Sequence, residues 1–421
     1  MTDLNSLRKN FEPGQSEYEI PKTMPAYAVL KNKPNSFEII EAQVPKIGHD
    51  EALVCVMACG LNYNTVWTID SNPISSFNFL KRLKLVSNSH ENHDLNYHIP
   101  GSDASGFIVQ IGNSDNSWKI GQEVVINCNW HRNNDPRIYQ DSLISKEQKI
   151  WGYETNFGGF APFAVVKIHQ LMTKPTHLSW FEAASYSLVL STAYRMLISE
   201  NGANIKLGDN VLIWGGTGGL GLSAIQICNL TGATPMPVVS SELKGNFLSS
   251  IGQEKYIDRN KENLNFIKNN EQDPLIWKKL QNIIIKKFNC LPTIVFEHPG
   301  KETMGASVYV LQKGGKVVTC AATTGYEINY DNRFLWMESK SIIGCHFANP
   351  MECYETNNLV IEKKVSPFVS NVYDFEFSEM AVNKFRKSEG YGKIVVGVLA
   401  NTKSQEICSN FNLFKDVFVN D

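Results

Sequence analysis

The amino-acid sequence predicts an α/β protein in two parts: a β-rich first half, and a second half built on a doubly wound parallel sheet. Three observations lead to this prediction. Short strand-like stretches separated by turn residues run from residue 26 to residue 126. A strand, a glycine-rich turn and an apolar helix follow one another over residues 210–230. Helix-like and strand-like stretches then alternate as far as residue 319.

The pattern also indicates where the parts begin and end. Residues 1–24 are polar and lack a steady periodicity, which predicts an N-terminal arm. The β-rich domain is predicted over residues 25–200 and the cofactor domain over residues 201–349. A strand, helix and strand follow from about residue 368. We expect this last stretch, within residues 350–421, to return to the first domain and complete it.

Within the β-rich half, three strands are predicted at residues 51–57, 106–110 and 123–126, and the turns between them favour a barrel-like arrangement. A helix is predicted over residues 180–197. Residues 71–98 form a long polar and aromatic insertion between these elements. Insertions of this length are usually functional or contact another subunit.

The glycine-rich turn predicts a dinucleotide site. Gly215, Gly218 and Gly221 stand three residues apart, a spacing that allows a tight turn, a close approach of the backbone to pyrophosphate, and a helix packed on the sheet. The free amides of the helix start favour the phosphate charge. A plain loop is the alternative, but the strand before the turn and the helix after it disfavour a loop. The residues predicted to contact the cofactor are Gly215, Thr217, Gly218, Gly219, Leu220, Gly221, Ser240, Ser241 and Lys244.

The end of the second strand predicts NADPH rather than NADH. No carboxylate stands there; Ser240, Ser241 and Lys244 take its place, and hydroxyls with a lysine suit a ribose 2′-phosphate. The alternative for Lys244 is a solvated helix residue. Pro235 and Pro237 stand in the same predicted strand, although proline is unusual in a buried parallel strand.

Composition excludes several classes of protein. The 421 residues carry a net charge of −2, which gives no electrostatic case for nucleic acid or an anionic membrane. No apolar run is long enough for a bilayer span, and residues 1–14 do not resemble a signal peptide. The nine cysteines are scattered, without a pair or a cluster with histidine, which predicts no metal site and no disulfide frame. We therefore expect a cytoplasmic protein.

Several longer strings resemble one family. The chain looks like a medium-chain dehydrogenase/reductase and, within that superfamily, like the crotonyl-CoA carboxylase/reductase family. The strings that carry the resemblance are residues 61–67, 101–106, 151–159, 192–195, 296–300, 331–336 and 346–349. The zinc-dependent branch has a Gly-His-Glu turn at its catalytic zinc, whereas this chain has Gly101, Ser102 and Asp103. The resemblance thus implies hydride transfer without zinc.

The resemblance implies a GroES-like β-rich catalytic domain joined to a Rossmann cofactor domain. It also implies that NADPH reduces the β-carbon of an α,β-unsaturated acyl-CoA such as crotonyl-CoA. The thioester enolate would then attack CO2 and give a carboxylated acyl-CoA such as ethylmalonyl-CoA. Two alternatives remain open: NADPH-dependent reduction of an enoyl-CoA without carboxylation, and a non-catalytic nucleotide-binding relative.

Four residues match the family's catalytic motif. Asn64 would hydrogen-bond one CO2 oxygen, Glu154 and His346 would hold a water at the other oxygen, and Tyr153 would shield the site from solvent. The family often has Phe where this chain has Tyr153, and a phenol can protonate an enolate, so simple reduction stays an alternative.

Three of these four side chains could instead have purely structural roles. Asn64 could satisfy buried backbone groups, Glu154 could close a turn, and His346, between Cys345 and Phe347, could be a core histidine. His298 follows a predicted strand and is not included among the catalytic residues.

The resemblance further implies a CoA site and self-association. Strings that match CoA-contacting regions contain Tyr309, Lys313 and Arg333, although Lys313, just before a Gly-Gly pair, could instead be a solvated turn residue. A homo-oligomer, either a tetramer or a dimer, is expected from the family. Residues 71–98 are a candidate contact surface.

Overall fold

The computed structural model describes residues 2–86, 90–112, 117–132, 134–388 and 390–401, with the backbone of residues 418–419. Within these ranges, every helix is too short or too polar to span a lipid bilayer. The chain divides into two compact units. The first unit contains residues 1–188, 349–389 and 393–421, and the second contains residues 189–348 and 390–392. The domain limits proposed above stay predictions, because compactness does not show that either part folds alone.

The described residues form both strands and helices. The strands are β1 (Thr23–Leu30), β2 (Lys33–Gln43), β3 (Glu51–Gly60), β4 (Tyr97–His98), β5 (Asp103–Ile111), β6 (Glu123–Ile126), β7 (Asn129–Trp130), β8 (Lys149–Ile150), β9 (Phe163–Lys167), β10 (Leu171–Thr173), β11 (Asn210–Ile213), β12 (Thr234–Val239), β13 (Ile257–Asp258), β14 (Ile267–Lys268), β15 (Glu271–Gln272), β16 (Ile294–Glu297), β17 (Lys316–Thr319), β18 (Ser341–Gly344), β19 (Val369–Asp374), β20 (Lys393–Gly397) and β21 (Phe418–Val419). The α-helices are α1 (Leu4–Asn10), α2 (Tyr63–Asp70), α3 (Ser76–Leu83), α4 (Ile138–Asp141), α5 (Trp180–Ala183), α6 (Ser187–Leu197), α7 (Gly219–Thr231), α8 (Glu242–Ser250), α9 (Pro274–Phe288), α10 (Met304–Val310), α11 (Arg333–Trp336), α12 (Pro350–Ile361) and α13 (Ser378–Arg386).

The first unit is built on mainly antiparallel sheets, although β19 pairs in parallel with β20 and β21. The larger sheet has the order β10-β6-β5-β3-β20-β19-β21, with β9 also paired to β3, and a smaller sheet has the order β2-β1-β4. Strand β3 is buried along nearly its whole length, since it pairs with β5, β9 and β20. The C-terminal strands β19 and β20 thus complete the sheet that the N-terminal half begins.

The second unit is a parallel sheet with the strand order β13-β12-β11-β16-β17-β18. In chain order this is 3-2-1-4-5-6, the arrangement of a dinucleotide-binding sheet, in which ligands bind where the order reverses. The reversal lies between β11 and β16. Apolar residues of β11, β12 and β16 pack against helices α9 and α10 to form its core.

The register of β12 explains its two prolines. The Thr234 amide donates to the Asp209 carbonyl, so residues of even number in β12 turn their polar groups toward β11. Pro235 and Pro237 therefore face the other side, where the short strand β13 pairs only with Val238 and Val239. The donors that proline lacks are not needed by the β11–β12 ladder.

Three elements differ from the prediction. The expected helix over residues 180–197 is broken between α5 and α6, where the Ser185 hydroxyl donates to the Glu182 carbonyl at 2.8 Å and competes with the helix. The expected N-terminal arm contains helix α1, and Leu7 and Phe11, four residues apart, are buried. The insertion at residues 71–98 contains helix α3 and strand β4.

Candidate active site

Helix α2 carries Asn64 at its second position. The Asn64 Nδ2 atom donates to the Ser102 hydroxyl at 2.9 Å, and its buried Oδ1 atom accepts no hydrogen bond from the described residues. A hydroxyl can donate or accept, so Ser102 can hold the amide in either of its two flipped orientations. One end of a half-buried carboxamide is thus anchored, and the other end is a buried polar atom whose hydrogen bond is still to be made.

The segment at residues 151–159 is hydrogen-bonded to Gly101, the residue before Ser102. The Gly101 amide donates to the Gly152 carbonyl at 3.1 Å, and the Gly159 amide donates to the Gly101 carbonyl at 3.0 Å. Gly152 has a φ of +70°, and a Cβ there would lie 2.0 Å from the Gly101 oxygen. Only glycine allows this approach. The contacts place the segment with Tyr153 and Glu154 beside the segment that holds Asn64.

Glu154 is anchored within its own turn. Its Oε2 atom accepts from the Ile150 amide at 2.8 Å, and its backbone amide donates to the Ile150 carbonyl at 2.8 Å. The side chain is buried. The turn expected as the alternative for Glu154 is therefore present, and it fixes the carboxylate. Its role in catalysis stays a prediction.

Tyr153 belongs to a group of aromatic side chains. Its ring centre lies 6.3 Å from that of Trp67 and 5.7 Å from that of Phe79. Trp67 lies on α2 one turn after Asn64 and also contacts Tyr63 at 5.5 Å. The structure thus brings Tyr153 beside the helix that carries Asn64. Phe79 comes from α3, so the insertion contributes to this group.

A buried histidine holds the same segment and was not predicted from the sequence. His98 lies between the Ser76 hydroxyl, 2.7 Å from Nδ1, and the Thr155 carbonyl, 3.0 Å from Nε2. A carbonyl only accepts, so Nε2 carries the proton and Nδ1 accepts from Ser76. Burial lowers the pKa of His98 from 6.5 to about 4. His98 therefore connects α3 to residues 151–159 in its neutral form.

This histidine predicts an acid dependence of stability. The unfolded chain binds a proton at His98 near pH 6.5, but the folded chain does so only near pH 4, so the stability that neutral His98 contributes is complete above pH 6.5 and is lost as the pH falls toward 4. Between pH 6 and 4.5, the free energy of unfolding of His98→Gln should vary less with pH than that of the unmodified protein, by about 1.4 kcal/mol per pH unit. Urea titrations across this range measure the slope. Equal slopes would contradict the assignment.

His346 lies in the second unit, just after β18. It stands between buried Cys345 and Phe347, yet its own side chain is exposed. Phe347 has a φ of +68°, which turns the chain at this point. The alternative of a core histidine is therefore wrong. Asn64, Tyr153 and Glu154 are grouped in the first unit, and the association of His346 with them stays a prediction.

The glycine-rich turn has the geometry that a pyrophosphate needs. Gly215 has a φ of +60°, and a Cβ on Gly221 would lie 2.3 Å from the Gly215 oxygen. Gly218 is the exposed N-cap of α7, and its amide donates to the Gly215 carbonyl at 2.9 Å. The buried Thr217 is held through its carbonyl by the Gly392 amide at 2.8 Å. The first amides of α7, at Gly219 and Leu220, lie next to this turn and have no carbonyl partner within the helix.

The residues after β12 form a cationic corner. Lys244 Nζ donates to the Ser240 hydroxyl at 3.2 Å, and the Ser241 hydroxyl caps α8 by accepting from the Lys244 amide. Burial, and secondly the charge of Arg259, lower the pKa of Lys244. Two neighbouring cations such as Lys244 and Arg259 repel each other unless an anion lies between them. Lys244 is half-buried, which disfavours the alternative of a solvated helix residue.

The three residues predicted to contact CoA all lie in the second unit. Tyr309 packs edge-on against Phe334 with ring centres 4.8 Å apart. Lys313 is exposed in the turn before Gly314. Arg333 is also exposed, and its guanidinium donates to Asp331 at 2.7–3.1 Å. Their contact with CoA stays a prediction.

Comparisons with known proteins agree with this fold. Residues 48–176 match the alcohol dehydrogenase GroES-like domain, and residues 219–362 match the zinc-binding dehydrogenase family. A crotonyl-CoA reductase of Streptomyces avermitilis is 50% identical over 373 residues, which cover 88% of this chain and 83% of that protein. A crotonyl-CoA carboxylase/reductase of Cereibacter sphaeroides is 38% identical over 397 residues, covering 90% and 89%. The solved structure of a 2-octenoyl-CoA carboxylase reductase in complex with NADP and 2-octenoyl-CoA superposes with a TM-score of 0.88 at 36% identity, covering 98% of this chain and 94% of the other.

The name of the second matched family implies zinc, but the side chains of residues 101–103 do not fit a zinc ion. The Ser102 hydroxyl is bonded to Asn64, and the Asp103 carboxylate is bonded to Asn62 and Lys393. Catalytic zinc sites use three ligands from His, Cys, Asp or Glu. In the part of the chain that the structure describes, no three such residues come together.

The predicted combination of a GroES-like domain and a Rossmann domain is confirmed by both family matches and by the solved relative. Identity of 38–50% extends over most of this chain and most of each relative, so the likeness includes both units and the segments that carry Asn64 and Glu154. The chain therefore belongs to the crotonyl-CoA carboxylase/reductase family of the medium-chain dehydrogenases/reductases.

Proposed function

We propose that this protein catalyses the NADPH-dependent reductive carboxylation of an α,β-unsaturated acyl-CoA, with crotonyl-CoA and CO2 giving ethylmalonyl-CoA. The observation that carries the proposal is the carboxamide of Asn64, which Ser102 anchors at one end and whose buried other end has no hydrogen-bond partner among the described residues. NADPH, when bound, supplies the hydride that reduces the β-carbon. The electron pair left on the α-carbon forms the new bond to CO2, which becomes the carboxylate.

Asn64 suits the capture of CO2 because it is neutral. An amide N–H can donate to one oxygen of CO2 and stabilise the negative charge that develops there, yet it does not readily give up its proton. An acid at the same place would protonate the α-carbon and end the reaction. The anchor on Ser102 reduces the rotational freedom of the amide, so CO2 is held beside the nucleophilic carbon.

The other three residues of the catalytic set have supporting roles in this proposal. The Tyr153 ring, backed by Trp67 and Phe79, excludes water from the enolate. Glu154, which is fixed by the Ile150 amide, and the exposed His346 hold a water that donates to the second oxygen of CO2. Tyr309, Lys313 and Arg333 are assigned to CoA, with the two cations meeting its phosphates.

The chain's nucleotide residues would bind NADPH at two places. The amides at the start of α7 face the pyrophosphate, and the close packing of Gly221 on Gly215 keeps that turn tight. Ser240 and Lys244, with Arg259 nearby, meet the 2′-phosphate and offset its charge.

The decisive experiment follows both halves of the reaction. Purified protein is incubated with crotonyl-CoA and NADPH, with and without labelled bicarbonate and carbonic anhydrase. The products are identified by mass spectrometry. We expect labelled ethylmalonyl-CoA in the presence of CO2 and one NADPH oxidised for each product formed. NADPH oxidation without incorporated label would show the reductase alternative, and no oxidation would show a non-catalytic relative.

Reduction without carboxylation is favoured by one observation, the phenol of Tyr153 in the aromatic group beside α2. If this phenol were the proton donor, Tyr153→Phe would increase the share of ethylmalonyl-CoA. If the ring acts only as a shield, the same change would leave the share as it is.

We also propose that the protein is a cytoplasmic homo-oligomer. The eight cysteines in the described residues are free thiols, which suits a reducing compartment. Strand β18 forms one edge of the parallel sheet, and Ile342 on it is exposed, as are Trp336 and Met337 shortly before it in the chain. The insertion, with exposed Leu85, is the other candidate contact.

The edge strand gives a direct test of the oligomer. A lysine at Ile342 would place a charge in an interface formed by β18, so Ile342→Lys should halve the mass measured by light scattering. Leu85→Lys is the matched change on the insertion. If only Leu85→Lys reduces the mass, the insertion is the contact, and a monomeric unmodified protein would contradict the proposal.

A further inference from the structure

A buried network of three polar side chains lies in the first unit and has no role in the reaction as described above. Lys393 Nζ donates to the Leu61 carbonyl at 2.6 Å, to Asn62 Oδ1 at 2.6 Å and to Asp103 Oδ2 at 3.2 Å. Asn62 Nδ2 donates to the same Asp103 oxygen at 3.0 Å, and the Leu188 amide donates to Asp103 Oδ1 at 2.8 Å. The Lys393 and Asp103 side chains are 4% and 0% exposed. We call Asn62, Asp103 and Lys393 the buried network.

Stability alone does not explain such a network. Taking an ammonium and a carboxylate out of water is costly, and their attraction often does no more than offset the cost. Apolar residues of similar volume would serve packing as well. Here, however, all three protons of the ammonium have acceptors, and both carboxylate oxygens have donors. Complete hydrogen bonding of this kind favours one arrangement of the attached backbone over its alternatives.

The attached backbone is that of the Asn64 site. Asn62 is the N-cap residue of α2, two residues before Asn64, and Asp103 directly follows Ser102, the partner of Asn64. Asparagine is a favoured N-cap, yet the Asn62 side chain caps no amide of α2 and is bonded to Asp103 and Lys393 instead. The helix thus lacks its usual cap, and its start is held by the buried network.

We propose that the buried network is a positioning device for the Asn64 carboxamide, and that Lys393, Asp103 and Asn62 thereby determine how often the α-carbon meets CO2 before a proton. The inference rests on the proposed function of Asn64. None of the three side chains touches substrate in this proposal. They act by fixing the start of α2 relative to Ser102, because both partners of the Asn64–Ser102 bond lie within two residues of the network.

Two substitutions test the proposal. Lys393→Met keeps most of the length of the side chain and removes its charge, whereas Asn62→Ala removes one member and leaves the Lys393–Asp103 pair. Each variant should reduce the ratio of ethylmalonyl-CoA to saturated acyl-CoA by about tenfold or more, since small displacements at a reacting centre have effects of this size. The KM for CO2 should rise, while the rate of NADPH oxidation at saturating crotonyl-CoA should change much less.

The first unit also offers a matched control. Lys167 is equally buried and pairs with Glu51 at 3.0 Å and with Asp50 at 2.8 Å. Glu51 begins β3, whereas Asn62 follows the end of that strand. Ten residues of strand separate the two ends by roughly 30 Å. Lys167→Met therefore also breaks a buried ion pair, but it should leave the product ratio and the KM for CO2 unchanged.

The outcomes separate the inference from the function on which it rests. If the unmodified protein forms no ethylmalonyl-CoA, the proposed function fails, whatever the network does. If the unmodified protein carboxylates and both variants keep its product ratio and its KM for CO2, the positioning role is overturned. An equal loss in Lys167→Met would also overturn it, because the effect would then be general destabilisation. Should Lys393→Met not fold, as judged by circular dichroism, Asn62→Ala decides.

Discussion

Replacing Asn64 with leucine is expected to change the main product from ethylmalonyl-CoA to saturated acyl-CoA. Leucine has the branched shape of asparagine, so α2 and its packing are preserved, but it cannot hydrogen-bond CO2. A hydrogen bond that stabilises developing charge contributes about 1.5–3 kcal/mol. The rate of carboxylation should therefore fall about 10- to 100-fold, whereas hydride transfer, which Asn64 does not assist in this proposal, should continue. Mass analysis of the products together with NADPH oxidation measures both rates.

Ser102→Ala tests the hydrogen bond that anchors the Asn64 carboxamide. It removes the anchor at 2.9 Å and leaves the carboxamide in place. We expect a smaller shift toward saturated product than in Asn64→Leu, because the amide is still present but rotates more freely. If Asn64→Leu carboxylates at the rate of the unmodified protein, Asn64 does not hold CO2. Equal losses of NADPH oxidation and carboxylation in that variant would instead indicate a role in substrate binding.

The parts of the fold that the sequence predicted are those determined by local spacing. The turn at Gly215–Gly218–Gly221 could be identified because a positive φ and a close backbone approach require glycine at fixed positions. Strands β16 and β17 and helix α9 follow from runs of apolar residues and from their period. Helix α1 was missed although Leu7 and Phe11 have helical spacing, since its burial depends on a distant partner, Phe163.

The candidate site contains pairings that no local pattern reveals. Lys393 is 290 residues from Asp103, and only the return of β20 to β3 brings them together. His98 ends the insertion that was singled out for its length, but its bond to Thr155 depends on the packing of β4. His346 has apolar neighbours and could therefore have been a core residue, but Cys345 and Phe347 are buried while His346 between them is exposed.

Arg259 is another residue of the candidate site whose position no local sequence pattern reveals. It follows β13, and it lies near enough to lower the pKa of Lys244 because β13 and β12 are neighbours in the sheet. Its guanidinium lies 3.3 Å from Glu302 in a partly exposed pair, which contributes little to stability. A cation held near Lys244 for little gain in stability is better explained by a ligand that carries negative charge.

We therefore expect the cationic corner at the end of β12 to determine the choice between NADPH and NADH. Lys244→Glu should raise the KM for NADPH about 100-fold or more, because it removes a charge-assisted hydrogen bond of about 1.5–3 kcal/mol and adds repulsion. The KM for NADH should stay the same or fall, since NADH has a hydroxyl where NADPH has the 2′-phosphate. Initial rates with each cofactor at saturating crotonyl-CoA measure this change in preference.

Lys278→Glu is the matched control for Lys244→Glu. It makes the same change in net charge at an exposed position on α9 of the same unit, and it should alter neither KM.

Arg259→Ala should raise the KM for NADPH as well, by less than Lys244→Glu, because Glu302 already offsets part of its charge. Increasing salt should weaken NADPH binding to the unmodified protein more than to Lys244→Glu, since screening acts on the attraction that the variant has lost. An unchanged preference for NADPH in Lys244→Glu would show that the 2′-phosphate is recognised elsewhere in the second unit.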